Sequence, residues 1–369
     1  PVDVAPGSEQ EVPHMHPERI LRHDAVSSVR SRFPAWLGVC VVGAALLSVG
    51  LTVSPAEARD WNPTVTTTRR SAAPDTRFSI AVMPDTQQEV LKPADTRFID
   101  RNRWLVANRD NLDLRFVTHT GDVVNWDTPD HAQTIVASKA MVPLEQAHIP
   151  YSLSIGNHDT QATTVGGGAR DLDHTPEQQR DTHVFNAYFT AARYGAVGGA
   201  FEAGKVDNIY STFSAGQREW LVLNLELWPR TAAVNWARSV VAAHPDANVI
   251  VATHSYLNPN GTIYSGADYG DNSPQYLYDH LIKVYPNVRM VFSGHAGVAG
   301  KRTDVGVHGN KIVSYLQTLH SNTTNPVRLV EIDTATGSLS TRIYGPKGNV
   351  TFPQYDDQQS GLNWVKPVP

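Results

Sequence analysis

The chain has 369 residues, of which 41% are hydrophobic and 18% are charged, and its formal net charge is -5 at pH 7. This composition is typical of a globular protein and excludes a disordered one. The acidic balance, without any block rich in Lys or Arg, argues against nucleic-acid binding, so no nucleic-acid partner is expected. Any affinity for phosphate must therefore come from local groups such as a metal ion.

The first predicted element is an uncharged apolar segment at residues 36–53, which follows several arginines. The residues Ala56-Glu57-Ala58 after it have the small-x-small pattern of a signal-peptide cleavage site. A retained membrane anchor is the alternative, because the segment approaches the ~20 residues that span a bilayer. Residues 1–58 are predicted to be a signal peptide or anchor. The protein is then secreted or held at the cell surface, with membrane contact only through an uncleaved segment.

The main body of the chain is predicted to be one α/β domain at residues 77–345, after a linker at 59–76 that is rich in Thr, Arg, Pro and Ala. Short apolar runs predict strands at 78–83, 114–119, 151–155, 220–227, 248–254, 288–295, 311–320, 327–335 and 338–345. Amphipathic spacing predicts helices at 96–109, 232–244 and 274–285. The last strands are separated only by turns, so the sheet is expected to end in antiparallel strands. Residues 346–369 form a C-terminal extension.

Two long polar, glycine-rich stretches interrupt this pattern, at residues 159–180 and 255–273. Loops of this length in a compact domain are usually functional lids or disordered segments. The second stretch is rich in Tyr and Asn, which hints at a polar or sugar-containing substrate.

Side chains that can bind metal follow five of the predicted strands, at the point where each strand ends. They are Asp85, Asp122, Asn157 with its neighbours His158 and Asp159, His254, and His295. A single Asp or Asn at a strand end is an ordinary turn residue, but five such endings in succession indicate a shared site. Oxygen and imidazole ligands from several strand ends can converge on one or two divalent ions of Mn, Fe or Zn type.

The ordered motifs GDVVN (121–125), GNHD (156–159), a histidine after a strand, and SGH (293–295) resemble the calcineurin-like metallophosphoesterases. MPDTQ (83–87) and the segment around NLELW (224–228) are similar to a bacterial exported branch with Asp-x-Gln in the first motif. The resemblance implies an α/β sandwich of two mixed β-sheets flanked by helices, with residues 77–345 as the catalytic domain. It also implies hydrolysis of a phosphate mono- or diester by in-line attack of a metal-bound hydroxide.

The same resemblance assigns metal ligands. The implied ligands are Asp85, Gln87, Asp122, Asn157, His254 and His295, with Asp122 bridging the two ions, Asp85 on the first, and Asn157, His254 and His295 on the second. The family pattern has histidines where this chain has Gln87 and Gly297. An amide oxygen can still bind metal, whereas glycine has no side chain. The first ion is therefore expected to bind more weakly, or to be a harder ion.

The other assignments concern histidines. By the resemblance, His158 is a catalytic residue that donates a hydrogen bond to a phosphoryl oxygen or a proton to the leaving group, and Asp159 is a catalytic residue that orients it. His320 is either a replacement for a missing ligand or a packing or capping residue. His119, within a predicted strand, is expected to be a core histidine.

The expected substrate is a small-molecule or glycan-linked phosphate ester, and the oligomeric state is undetermined. Two other functions are compatible with the loss of two first-ion ligands. One is a non-catalytic protein at the cell surface that binds a single metal ion. The other is a single-metal hydrolase of a non-phosphate ester, because a fold does not determine a reaction.

Overall fold

The computed structural model of the protein describes residues 75–365. The predicted signal peptide or anchor and nearly all of the predicted linker lie outside these residues. Within residues 75–365, the helices are all too short or too polar to cross a membrane.

Residues 75–365 contain fourteen strands. They are β1 Arg77–Met83, β2 Leu114–His119, β3 Tyr151–Leu153, β4 Val197–Ala200, β5 Ile209–Ala215, β6 Arg218–Leu225, β7 Ala247–Thr253, β8 Val288–Ser293, β9 Ala299–Val305, β10 Lys311–Gln317, β11 Val327–Asp333, β12 Ser338–Gly345, β13 Val350–Thr351 and β14 Asp357–Gln359. Each of the nine predicted strands overlaps one of these. Their ends differ by a few residues because the predicted ranges included the polar residues that follow each strand.

The α-helices are α1 Arg97–Ala107, α2 Arg109–Leu112, α3 Ala132–Gln146, α4 Thr175–Gln179, α5 His183–Tyr188, α6 Ala191–Tyr194, α7 Thr231–Ala243 and α8 Pro274–Leu277. The predictions at 96–109 and 232–244 correspond to α1 and α7. The third predicted helix is shorter than expected, because α8 passes into a π-helical turn that ends at Ile282. Its start follows the predicted signal: Ser273 accepts the N–H of Tyr276, and Pro274 is the first helical residue.

The strands form two mixed sheets, here called sheet A and sheet B. Sheet A has the order β13-β12-β11-β1-β2-β3, with β14 beside β12, and sheet B has the order β4-β5-β6-β7-β8-β10-β9. In sheet A, β1, β2 and β3 are parallel. In sheet B, β6, β7, β8 and β10 are parallel. The predicted α/β sandwich of two mixed sheets is confirmed.

The late strands divide between the two sheets. β11 and β12 form the expected antiparallel pair around the turn at residues 334–337, with Asp333 opposite Ser338. β10 instead joins sheet B, parallel to β8 and antiparallel to β9. The short connections therefore predicted the β11–β12 hairpin correctly. They did not predict the position of β10, because β10 pairs with β8 in sheet B and β8 is not adjacent to it in the chain.

The two sheets pack face to face, and helices cover their outer faces. Along β1, Phe78, Ile80 and Val82 face sheet B, whereas Ala81 and Met83 face the helices. This alternation is the two-residue period of a strand with both faces buried. α1 and α3 cover sheet A, and α7 and α8 cover sheet B.

The predicted C-terminal extension takes part in this packing. β13 and β14 both pair with β12. Trp364 is only 6% exposed, lies in the core between the sheets, and has its ring centroid 5.2 Å from that of Trp220. Its indole N–H donates to the carbonyl of Asp333 at 3.2 Å. Residues up to Trp364 therefore belong to the packed domain.

Candidate metal centre

The centre of the site is a group of three buried side chains from both sheets. Asp85 follows β1, Asp122 follows β2, and His254 follows β7. One ligand atom from each lies within 4.8 Å of the other two. Parallel strands present their carboxyl ends at one edge of a sheet, which brings together residues that are far apart in the chain.

Asp122 occupies a tight turn between the two sheets. Gly121 has φ of 102° and Asp122 has φ of 53°, so both lie in the left-handed region. A Cβ at Gly121 would lie 2.7 Å from Nδ1 of His254, so only glycine fits there without displacing the imidazole. The Asp122 carboxylate lies 3.2 Å from Nε2 of His254, and its other oxygen accepts the backbone N–H of His158 at 3.1 Å. Burial alone would raise the pKa of Asp122, but the His254 and His158 imidazoles hold it well below its usual range.

His254 is oriented as a ligand. Its Nδ1–H donates to the carbonyl of Thr120 at 2.9 Å, because a carbonyl can only accept. Nε2 is therefore the ring atom turned toward Asp122. Burial opposes the charged ring, but the Asp122 carboxylate outweighs burial and raises the pKa of His254 to about 9. A bound cation would take the place of that proton, because metal ligands must be deprotonated.

Asp85 is held by the backbone and by a hydroxyl. Its carboxylate accepts the N–H of His295 at 3.0 Å and the Thr120 hydroxyl at 3.4 Å. Burial, together with the charge of Asp122, raises the pKa of Asp85 well above its ordinary value. Two carboxylates buried this close repel each other, and a cation between them removes that repulsion.

Two buried amide oxygens test whether the site fits a metal. Within residues 75–365, Oε1 of Gln87 and Oδ1 of Asn157 are buried and have no hydrogen-bond partner. An unsatisfied buried acceptor costs about 1–3 kcal/mol. An amide oxygen can only accept a hydrogen bond or bind a cation, so a metal ion can satisfy both atoms and another acceptor cannot. With the carboxylates and the imidazoles, they complete a donor set of oxygen and nitrogen that suits a divalent ion.

His295 follows β8 and has φ of 71°. Its ring packs edge-on against His254 at 4.9 Å and against Trp228 at 5.5 Å between centroids. Burial, and then the charge of His254, lowers the pKa of His295 to about 4. The ring is therefore neutral near pH 7 and keeps a lone pair for a metal ion.

The ring of His158 is held by a different partner from the one predicted. Its Nδ1–H donates to the backbone carbonyl of Asn125 at 2.6 Å, which leaves Nε2 free. Asp159 does not orient the ring: its carboxylate accepts the backbone N–H groups of Val124 at 3.0 Å and Gly156 at 2.9 Å. The predicted catalytic role of Asp159 is therefore corrected to a positioning role. The Asp159 carboxylate accepts backbone N–H groups and not the imidazole N–H, and in this way it ties together the loops that carry Asp122 and Asn157.

His119 supports the same loops, as the prediction of a core histidine implies. Nδ1 accepts the N–H of Gly121 at 3.0 Å. Nε2–H donates to the Thr86 hydroxyl at 3.0 Å, and that hydroxyl donates to the carbonyl of Val123 at 2.9 Å. Burial, and then Arg101, holds the pKa of His119 well below its ordinary value, so the ring is neutral. This chain of hydrogen bonds holds the Asp85 loop against the Asp122 loop.

Both long polar stretches lie beside the site. In the first, a Cβ on Gly167 would lie 3.4 Å from Cε1 of His158. In the second, the Tyr269 ring packs at 90° on Trp228, 4.8 Å between centroids. Arg180 links the two stretches: it donates to the carbonyl of Trp228 at 2.7 Å and to the Asp271 carboxylate at 2.6 Å. The stretches are therefore ordered walls of the site.

The structure brings Asp85, Asp122, His254 and His295 together. The residues that support them were not predicted from the sequence. The missed residues are Thr86, Asn125, Arg180, Trp228 and Tyr269. Asn125 acts through its backbone carbonyl, and nothing in the sequence indicates which backbone carbonyl will accept from a histidine. Arg180 and Tyr269 lie in the two stretches already identified as candidate lids, and that position was the signal available for them.

Comparisons with known proteins identify the family of the chain. A family model described as calcineurin-like phosphoesterase matches residues 78–298, more than half of the chain. The uncharacterized protein YvnB of Bacillus subtilis (strain 168) is 28% identical over 212 residues, which are 56% of this chain and 14% of that protein. The chain thus spans a small part of that relative's length.

Among solved structures, a dimetal phosphatase from Danio rerio matches with a TM-score of 0.47 and 13% identity, over 77% of this chain and 98% of that one. The family resemblance predicted from the motifs is confirmed by the family model, and the predicted enzyme class, a metal-dependent phosphoric ester hydrolase, is that of the family. The chain belongs to the calcineurin-like phosphoesterase family.

Proposed function

We propose that the chain hydrolyses a phosphate ester at a centre of two divalent ions, with Asp122 between them. The observation that carries the proposal is the buried group of Asp85, Asp122 and His254, whose ligand atoms lie within 4.8 Å of one another. Gln87 Oε1 and Asn157 Oδ1 are also buried and have no hydrogen-bond partner. Asp85 and Gln87 are assigned to the first ion, on the β1 side. The second ion takes Asn157, His254 and His295. Bound divalent ions supply a water of lowered pKa and neutralise charge on the phosphoryl group.

His158 is the residue proposed to act on the substrate. The Asn125 carbonyl holds its Nδ1–H and the Asp122 carboxylate holds its backbone N–H, so the ring has a fixed direction relative to the centre. Nε2 is the ring atom left to contact a substrate oxygen. A proton donor positioned in this way contributes about 10²–10⁴-fold to a rate. The proposed role is a hydrogen bond to the phosphoryl group, or a proton for the leaving oxygen.

The proposed substrate is a small-molecule or glycan-linked phosphate ester. The support for it is the polar character of the two stretches beside the site, with Gly167 near His158 and the Tyr269 ring on Trp228. Glycine at residue 167 lets this stretch approach the His158 imidazole closely, so the stretch forms part of the surface that a substrate would meet. Tyr269 offers an aromatic face and a hydroxyl, which suits a polar substrate with an apolar edge.

The proposed location is outside the cytoplasm, as a secreted or cell-surface protein. The apolar residues 36–53 and the Ala56-Glu57-Ala58 pattern support export. Cys40, the one cysteine in residues 1–369, lies within that segment, so residues 59–369 contain no thiol. N-terminal sequencing of protein recovered from the medium of an expressing bacterium is expected to begin after Ala58. Protein found only in the cytoplasm would contradict export.

Turnover on three substrates separates the proposed function from its alternatives. The purified chain, supplied with Mn²⁺, is expected to hydrolyse p-nitrophenyl phosphate, its bis ester, or both, and to leave p-nitrophenyl acetate unchanged. His254→Ala is expected to abolish turnover and to lower the metal content. Hydrolysis of the acetate alone would favour a non-phosphate esterase. One tightly bound ion without any turnover would favour a non-catalytic metal-binding protein.

A further inference from the structure

We infer, on the basis of the two-ion centre proposed above, that His320 supplies the imidazole ligand of the first ion. The first ion would then have Asp85, Gln87, Asp122 and His320 as ligands. The family pattern places this imidazole at residue 297, which is glycine here.

The fold brings His320 to the correct edge of the sandwich. β10 lies parallel to β8 in sheet B, with Leu316 opposite Ser293. The chain therefore leaves both strands at the same edge, and His320 comes three residues after β10, as His295 comes two residues after β8. A histidine after β10 can thus reach the same centre as a histidine after β8.

The distance to Asp85 suits a shared ion. Nε2 of His320 lies 3.9 Å from the Asp85 carboxylate. Two ligand atoms at about 2.1 Å from one ion lie about 3 Å apart when they are adjacent and about 4.2 Å apart when they are opposite. The observed distance falls inside that interval. It is longer than a direct hydrogen bond, so it leaves room for an ion between the two atoms.

The position that the family uses for this ligand is closed in this chain. Gly297 has φ of 55°, which disfavours a residue with a side chain. A Cβ at Gly297 would overlap Cγ of Pro259 and would lie 3.1 Å from its Cβ. Pro259 belongs to the polar stretch 255–273, which therefore occupies the space where a histidine side chain would begin. The imidazole must come from another strand end.

The backbone before His320 is held in an unusual conformation. Leu319 has φ of 47°, a left-handed value that is rare for a bulky residue. Its N–H and that of Thr318 both donate to the carbonyl of Val298, at 3.2 and 3.0 Å, and the Thr318 hydroxyl donates to the carbonyl of Ala296 at 2.8 Å. Strained residues of this kind cluster at functional sites. Here the strain turns the chain so that His320 is directed back toward Asp85.

His320 itself is not packed like a structural residue. Its side chain is 41% exposed, whereas that of Asp85 beside it is 1% exposed. His320 lies near Asp85 but outside the group formed by Asp85, Asp122 and His254, so its ring must turn to share an ion with Asp122, and a partly exposed ring is able to turn. Because the ring belongs to a different strand from the missing ligand, the loss at residue 297 would not leave the first ion without an imidazole. The sequence-based expectation of a weak first site would then not hold.

Metal titration of His320→Ala tests the inference. Mn²⁺ bound per chain is measured by equilibrium dialysis and elemental analysis, with His308→Ala, in the exposed turn between β9 and β10, as a matched control. The wild type and the control are expected to bind two ions. His320→Ala is expected to bind one ion tightly, with the affinity for the other about tenfold lower or more. Substitution with Co²⁺ gives a second readout, since the visible absorption of one of the two ions should change.

Each outcome separates this inference from the proposed function. If His320→Ala binds two Mn²⁺ ions with wild-type affinities, His320 is not a ligand, and the two-ion centre stands. If His320→Ala loses one ion but the wild type turns over no phosphate ester, the ligand assignment stands and the proposed function fails. A wild-type chain that binds no Mn²⁺ overturns both. An unchanged melting temperature of ion-free His320→Ala shows that any lost ion is not the result of unfolding.

Discussion

Gly156→Ala is expected to damage the metal centre through one added methyl group. Gly156 has φ of -96°, which alanine adopts without strain, so any effect comes from contact alone. The new Cβ would overlap Oδ1 of Asp122 and would lie 2.5 Å from the backbone nitrogen of the same residue. The carboxylate can rotate away, but the nitrogen can retreat only if the two loops separate. They must separate by about 0.5 Å to reach the shortest contact that Cβ atoms make, 3.0 Å.

Two contributions determine how much Gly156→Ala lowers the free energy of unfolding. Overpacking by one methyl group typically costs about 1–3 kcal/mol. Rotation of the Asp122 carboxylate also breaks its hydrogen bond with the N–H of His158, and a bond to a charged group contributes about 1.5–3 kcal/mol. Together the two contributions come to about 2.5–6 kcal/mol, which lowers the melting temperature by about 5–24 °C at about 2–4 °C per kcal/mol. Displacement of the bridging carboxylate should weaken metal binding by about 10–100-fold.

The assay is thermal melting with and without Mn²⁺, together with the metal content after dialysis. Gly168→Ala is the matched control, because a Cβ at Gly168 would meet nothing within 4 Å. The control should keep the melting temperature and metal content of the wild type. If Gly156→Ala also keeps both, Asp122 does not lie against Gly156, and the placement of the bridging carboxylate is refuted.

Three further substitutions test separate parts of the account. Gly294→Ala, whose Cβ would overlap Oδ1 of Asp85, should release the first ion and keep the second; retention of two Mn²⁺ ions would contradict the position of Asp85. His158→Ala should lower turnover about 10²–10⁴-fold at unchanged metal content, whereas loss of metal would identify His158 as a ligand. Trp364→Ala should destabilise the fold by about 3–5 kcal/mol in denaturant unfolding and leave the number of bound Mn²⁺ ions unchanged. Unchanged stability would place Trp364 outside the core.

The convergence of the ligands could be predicted from the sequence because it follows from a general property of parallel strands. Asp85, Asp122 and His254 each come after a strand that is parallel to its neighbour, so their places at one edge needed no knowledge of side-chain packing. The prediction that these ligands meet at one edge depended little on the residues between the strands. That is why the long stretches at 159–180 and 255–273 did not obscure it.

The supports of the site could not be predicted, because their partners are backbone groups. The family resemblance implied that the Asp159 carboxylate orients the His158 imidazole. In the fold its carboxylate faces two backbone N–H groups, and the carbonyl of Asn125 holds the imidazole. A backbone group is present at every residue, so no residue type marks the one that is used.

Two features of the fold, helix α3 and the burial of Trp364, were not predicted from the sequence, for different reasons. Helix α3 buries Ala137, Ala140, Met141 and Leu144 along one face. Its half-buried positions also carry the apolar residues Ile135, Val136 and Val142, so apolar and polar residues are not separated by face as in an amphipathic pattern. Trp364 lies between the sheets together with Leu362, although Gly361 and Asn363 beside them are exposed. Its burial depends on contact with Trp220, which is far away in sequence. Local pattern carries no information about such a contact.

The central claim is that two divalent ions lie at the ends of the parallel strands, on either side of Asp122. Anomalous scattering from crystals of the chain grown with Mn²⁺ tests it most directly. The account predicts two anomalous peaks, one contacting Asp85 and Gln87 and the other contacting Asn157, His254 and His295, with the Asp122 carboxylate between them. A single peak, or none at these residues, would contradict it.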